Sequence, residues 1–434
     1  MTLQGLALRL RAAFWLLPAV CAAAAGVLAP LVARLDEVLG ENSGLLFAGG
    51  PDSARQMLGI IGSSVLTFAG LAFSITIVAL QLASSQFSPR VLRSMLRDRW
   101  TQGALGAFVG TFVFSLLTLR EVRSADEAGV EFVPGLGVST TLLLGLISIA
   151  ALMGFIHHIA QSIRVVTVID QITAETERSL DHWYADTPRT RTTAQVSPTA
   201  DCPVRAIDAV RSGVLTWYDV GGLARAAEKR DSTIELLVSP GTYVITGQPL
   251  LKVTGTEDPD ASSLRSELSF SSERETDMDP AYGFRQLVDI AERALSPGVN
   301  DPTTAIQCID RLHQLLRRIA TRDLAVGDQI VDGVLRLRVH DASWADYVAL
   351  ACDEIRHWGA GSPRVCRRLD AMLHDLLTVV DIDRADTLYR QLEQLEVRRR
   401  DALPDGEWQA ALGPGDPAER ALSRVDRERQ PDRG

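Results

Sequence analysis

The chain has 434 residues, 46% hydrophobic and 23% charged, with a formal net charge of −10. That length exceeds one ordinary domain and implies two or three units; the acid excess argues against a nucleic-acid partner. Five cysteines, odd in number and without CxxC spacing (Cys21, Cys202, Cys308, Cys352, Cys366), argue against a disulfide framework or a thiolate metal site.

Apolar runs dominate up to about residue 163, and charges recur every few residues after it. Four spans are expected, at 12–33, 58–83, 103–119 and 137–160, lengths close to the ~20 residues a helix needs to cross a bilayer. Arg9 and Arg11 before the first run allow a cleaved signal peptide. However, Pro18-Ala19-Val20-Cys21 lacks the small residue expected before a lipoprotein cysteine, and the run continues to about Val32. An uncleaved first span is expected.

Between the second and third spans lie Arg90, Arg93, Arg97 and Arg99. The positive-inside rule places this basic loop in the cytoplasm. The other two loops carry Asp36, Glu37, Glu41 and Asp52, and Asp126, Glu127 and Glu131, and are expected outside. The resulting expectation is a multi-pass protein of the bacterial plasma membrane with both termini cytoplasmic. The basic loop also has an apolar stripe of Val91, Leu92, Met95 and Leu96. It reads as an interfacial helix on anionic headgroups or as a basic collar at a pore mouth.

Along the second span, Ser63, Thr67, Gly70, Ser74, Ile77, Gln81 and Ser84 advance by alternating steps of four and three. On a helix that spacing holds them on one narrow face. The facing column Ile61, Val65, Phe68, Ala72, Ile75, Ala79 and Leu82 is wholly apolar. Such a seam either packs tightly against other helices or lines a watery path. Within the spans no clear Asp, Glu, Lys or Arg is read, which argues against a proton-transfer relay.

Residues 1–162 are thus expected to form a membrane domain, 163–187 a helical stalk and 188–203 a Thr-, Pro- and Arg-rich linker. Short strand patterns at 204–256 predict a small β-rich module, and its Gly241–strand–Gly247–Leu250 sequence resembles the repeating hairpin of barrel-sandwich domains, which include biotinyl and lipoyl carriers. Lys252 and Lys229 are not at a hairpin tip, which argues against a carrier role. Residues 281–400 read as mainly helical, and 401–434 as a disordered tail. The expected fold class is therefore an α-helical integral membrane domain of four spans, then a cytoplasmic α+β region with a small β-barrel-like module and a helical bundle.

One turn in the helical region stands out, Ser296-Pro297-Gly298-Val299-Asn300-Asp301-Pro302. Asp301 is placed as N-cap with Pro302 at the first helical position. Ser296, Asn300 and Asp301 form either a rigid corner or a turn that binds a ligand or phosphate at the helix N-terminus.

Three stretches carry a family resemblance: FSITIVALQLASSQFSPR at 73–90, GTFV at 110–113 and RALSPGVNDP at 293–302. They resemble the bacterial membrane-protein family known as domain of unknown function 2254. The likeness runs through nearly the whole chain except the tail. It implies an integral membrane protein and supplies no catalytic residues.

The chain has no P-loop, no Gly-x-Gly-x-x-Gly after a strand, no Gly-x-Ser-x-Gly elbow and no His-Glu-x-x-His. His157 and His158 are adjacent, about 100° apart on a helix, and so are not placed to share a metal. They read as interfacial residues or as a pH-sensitive gate. No catalytic residue, cofactor or metal is expected, and the chain does not read as an enzyme. Two functions remain. One is a homo-oligomeric channel-like or transport protein for a small ion, its path lined by the seam and gated by the cytoplasmic domain. The other is a membrane-tethered scaffold or sensor with a dry seam, whose cytoplasmic half binds a partner protein or small ligand.

Overall fold

A computed structural model describes residues 15–39, 47, 49–86, 98–123, 132–162, 164–184, 202–274, 279–324, 328–340 and 342–402, with backbone alone at 37–39, 82–86 and 162. Arg90, Arg93 and Arg97, most of the 188–203 linker and the tail beyond residue 402 lie outside the described residues. The chain divides into two compact units, Met1–Val168 and Ile169–Gly434.

The first unit holds four helices, α1 (Leu16–Leu39), α2 (Pro51–Gln86), α3 (Arg99–Glu121) and α4 (Gly135–Ser162). Each is long and apolar enough to cross a membrane. Helix α2 starts seven residues before the expected span, because Pro51 suits the first helical turn and Asp52 complements its amide end. Its 36 residues make about 54 Å of helix, well beyond a hydrocarbon core of ~30 Å.

Helix α3 is the most buried of the four. Phe108 sits in its centre, among Val65, Ala72 and Ala79 of α2 and Phe155 of α4. On another side Gly106 and Gly110 admit α1. A Cβ at Gly106 would stand 2.8 Å from Cys21 Sγ, and one at Gly110 3.4 Å from the Cys21 carbonyl oxygen. Small residues four apart are what lets two helix backbones approach this closely. Buried hydroxyls complete the fit. Ser115 donates to the Leu58 carbonyl at 2.8 Å, and Thr111 and Ser148 hydrogen-bond at 3.1 Å.

A further polar contact joins α1 to α4. Asp36, buried in the last turns of α1, accepts hydrogen bonds from the Leu136 and Gly137 amides at 2.9 and 3.0 Å. It does for α4 what an N-cap residue does for its own helix. The sequence reading had Asp36 as an acidic loop residue; the structure gives it a buried structural role.

Helix α5 (Val165–Trp183) enters the second unit at Ile169 and is followed by strands β1 (Val204–Asp208) and β2 (Gly213–Tyr218), then α6 (Val220–Lys229). Next come β3 (Thr233–Leu236), β4 (Tyr243–Val244), β5 (Pro249–Thr254), α7 (Ala261–Ser266) and β6 (Leu268–Ser271). Helices α8 (Pro280–Leu295) and α9 (Pro302–Ile319) precede β7 (Gln329–Val331) and β8 (Val334–Val339). Helices α10 (Trp344–Gly359), α11 (Pro363–Leu377) and α12 (Ile382–Ala402) end the described chain.

The strands form two open sheets, ordered β1-β5-β3-β8-β7 and β4-β2-β6. No pairing among the described residues closes the expected barrel. The Gly–strand–Gly pattern does make tight turns, with positive φ at Gly241 (83°) and Gly247 (87°). Yet β4 pairs with β2 while β5 pairs with β1 and β3. The chain therefore crosses from one sheet to the other at Gly247 instead of folding back as a hairpin. The module also reaches beyond residue 256, since β6 pairs with β2 and β8 runs parallel to β3. Leu215, Leu223, Ile234, Leu251 and Leu337 share its core. The β7–β8 hairpin turns at Asp332 and Gly333, both with positive φ, as a type I′ turn requires.

Candidate functional site

The α2 seam points away from its own bundle. Ser63, Thr67, Gly70, Ser74, Ile77 and Gln81 are all exposed among the described residues, and only the backbone of Ser84 is described. The facing column turns inward: Val65, Ala72 and Ala79 are buried, and Ile61, Phe68 and Ile75 half-buried. A Cβ added at Gly70 would meet nothing within 4 Å. The seam is therefore not the dry contact within the bundle that one reading expected. That work is done by Gly106, Gly110, Thr111 and Ser115 of α3. Ser63 donates to the Ile60 carbonyl at 3.0 Å, and Thr67 to the Ser63 carbonyl at 2.9 Å. Their hydroxyl protons are satisfied within the helix, which lowers the cost of facing an apolar environment.

At the expected cytoplasmic end, Asp98 caps α3, accepting from the Trp100 and Thr101 amides at 3.1 Å each and from the Thr101 hydroxyl at 2.6 Å. His158 Nε2 lies 2.8 Å from the same carboxylate, and its ring is stacked 6.2 Å from Trp100. Burial pushes the Asp98 pKa up, but these hydrogen bonds and His158 outweigh it and hold it below the usual carboxylate value. Arg99 is exposed in the first turn of α3, and His157 faces outward while His158 turns inward. The two histidines do not converge.

The 296–302 turn bonds to itself and to the helices it joins. The Val299 and Asn300 amides donate to the Ser296 carbonyl at 3.0 and 2.9 Å, and Asn300 takes φ of 48°. Asp301 accepts from the Thr303 and Thr304 amides at 3.1 Å each and from the Thr304 hydroxyl at 2.6 Å. The Thr304 hydroxyl and these amides hold its pKa below the usual carboxylate value despite partial burial. Pro302 has no N–H. The amides that a phosphate would use at this helix N-terminus are already taken by a carboxylate.

Sequence reasoning missed the charge ladder that docks α5 along α9. Asp170 pairs with Arg311 at 2.7 Å; Glu177 accepts from Gln314 at 2.8 Å and lies 3.8 Å from Arg318. Asp181 bonds Arg318 at 2.5 Å and Arg322 at 2.9 Å. The helix expected as a stalk is thus packed into its own unit, with Tyr184 bonded to Tyr347 of α10 at 3.1 Å. A signal was present: the acids at 170, 177 and 181 and the arginines at 311, 318 and 322 share the same spacing. Among the described residues no group of three His, Cys, Asp or Glu side chains is placed to hold a metal.

A family model described as "Predicted membrane protein (DUF2254)" matches residues 11–375. Uncharacterized proteins of Mycobacterium bovis and Mycobacterium tuberculosis are each 32% identical to the chain, over 84% of it and 71% of the relative. No solved structure matches. The match takes in all four apolar helices and most of the second unit, and the chain belongs to the DUF2254 family of membrane proteins.

Proposed function

We propose that the chain is one subunit of a homo-oligomeric, channel-like or transport protein of the bacterial plasma membrane. In this reading the α2 seams of several copies face one another and line a path for a small ion. The supporting observation is the outward exposure of Ser63, Thr67, Gly70, Ser74 and Gln81 on an apolar helix. Polar groups facing hydrocarbon are costly, and association of copies removes that exposure. One seam per chain cannot enclose water, so several subunits are required. Uncharged polar walls suit weak, reversible ion binding, and Ile77 narrows the path. With both termini cytoplasmic, as the arginines at 90, 93, 97 and 99 suggest, the second unit serves as the gate. No catalytic chemistry enters this reading.

The internally bonded hydroxyls of Ser63 and Thr67 also suit a dry contact between copies. That favours a second reading, a membrane-tethered scaffold or sensor whose second unit binds a partner protein or small ligand. Native mass measurement in nanodiscs and ion flux into liposomes separate the two. The channel reading expects an oligomer that passes ions, with flux reduced by Gln81→Leu or Ser74→Leu. A monomer without flux refutes it, and an oligomer without flux leaves the scaffold.

A further inference from the structure

Helices α9 and α11 meet around a largely buried histidine, His313. Its Nε2 lies 2.8 Å from Asp375 Oδ2, and its Nδ1 lies 2.9 Å from Arg368 Nη2. A guanidinium only donates, so Nδ1 must accept and carries no proton. A carboxylate only accepts, so the ring's single proton is on Nε2. Two neighbours of opposite charge therefore fix both the neutral state and the tautomer. Arg317, one turn along α9, bonds the same Asp375 oxygen, and Arg368 Nε bonds Asp310. From α8 and α10, which also pack on α9, no charged side chain bonds to His313 among the described residues.

We propose that the His313–Arg368–Asp375 contact is a proton-sensitive latch that opens the α9–α11 interface when the interior of the unit is acidified. A second proton can enter the ring only at Nδ1, directly in front of the Arg368 guanidinium. Two cations cannot stay at hydrogen-bond distance there, so Arg368 or the ring must leave. Asp310 already holds the other edge of Arg368 and keeps it once it swings away. Release at His313 falls between Arg311 and Arg318, the α9 residues that hold α5. The latch is thus placed to loosen the helix that follows the fourth span.

The sign agrees with the placement. Burial first, then Arg368, hold the His313 pKa below its ordinary 6.5, against the upward pull of Asp375. Asp375 itself is pushed up by burial but held below the usual carboxylate value by His313 and Arg317. The contact is intact above the ordinary histidine value and weakens as pH falls below it. The inference is independent of what the α2 seam does.

The test is hydrogen–deuterium exchange of the full chain in nanodiscs, between about pH 7.5 and about pH 5, corrected for intrinsic exchange. Peptides of α9 and α11 are expected to lose protection about tenfold or more on acidification. His313→Gln keeps an acceptor for Arg368 and a donor for Asp375 but cannot titrate, so its protection should stay flat. Arg368→Met removes the opposing cation and should shift the transition to higher pH. Equal loss in wild type and His313→Gln, or no loss in wild type, overturns the proposal. If His313→Gln does not fold, ring ¹⁵N shifts of the wild type decide: an Nδ1–H tautomer, or an ordinary titration, overturns it.

Discussion

If α3 is the internal helix and the α2 seam is external, glycines on the two should respond oppositely to the same added side chain. Gly106 of α3 faces Cys21, where even a Cβ would lie 2.8 Å from Sγ and 3.6 Å from the Leu17 carbonyl. Leucine there must push α1 and α3 apart, an overpacking cost of about 1–3 kcal/mol. Gly70 of α2 has nothing within 4 Å of the same position, so leucine enters without intramolecular contact. Both changes gain the same helix propensity, roughly 0.8–1 kcal/mol, and it cancels in the comparison. Gly106→Leu should therefore unfold more easily than Gly70→Leu by about 1–3 kcal/mol. The assay is SDS titration in mixed micelles, at a dilution where the protein is monomeric. Equal shifts, or a larger loss for Gly70→Leu, would refute the assignment of inside and outside.

Three further outcomes are expected. Asp36→Ala removes the cap on α4 and should cost about 0.5–2 kcal/mol in the same titration, while Asp36→Asn, which keeps one acceptor oxygen for the two amides that Asp36 receives on Oδ1 and Oδ2, should lose less. A Cβ at Gly283 would fall 1.8 Å from Thr176 Oγ1, so Gly283→Ala should destabilise the second unit by about 1–3 kcal/mol. Adding Thr176→Ala should recover part of that loss, a coupling that a thermal double-mutant cycle reads directly. Burial pushes the Cys352 thiol up to about 12 and Cys366 to about 11, and raises Cys308 as well. Since the thiolate is the reactive form, iodoacetamide should leave all three unlabelled until the protein is denatured, as peptide mass spectrometry would show.

What was legible in the sequence was what depends on neighbours along the chain. The four spans follow from the number of consecutive apolar residues a bilayer demands. Asp301 is recognisable as a cap because its partners, Thr303 and Thr304, lie two and three residues away. The two sheets were not legible, because β3 finds its parallel partner about a hundred residues later, and no local pattern encodes that. Asp36 was misplaced for the same reason: its partners lie 100 and 101 residues on.

The seam shows a different limit, set by the solvent. In water the apolar side of an amphipathic helix is the inner side, so periodicity alone gives its orientation. In a bilayer the outside is as apolar as the inside, and hydrophobicity no longer distinguishes the two faces. The α2 stripe and the α3 positions Gly106, Gly110, Thr111 and Ser115 both look like interface by composition. Of these two sets, it is the α3 positions that pack within the bundle, through Cys21, Leu58 and Ser148. The α2 stripe has no such partner helix among the described residues, while the apolar column behind it is already engaged with Phe108 and Phe155. A helix cannot turn its polar face inward without pulling that column out of the core. The orientation is thus held by Val65, Ala72 and Ala79, which leaves Ser63 to Gln81 exposed among the described residues.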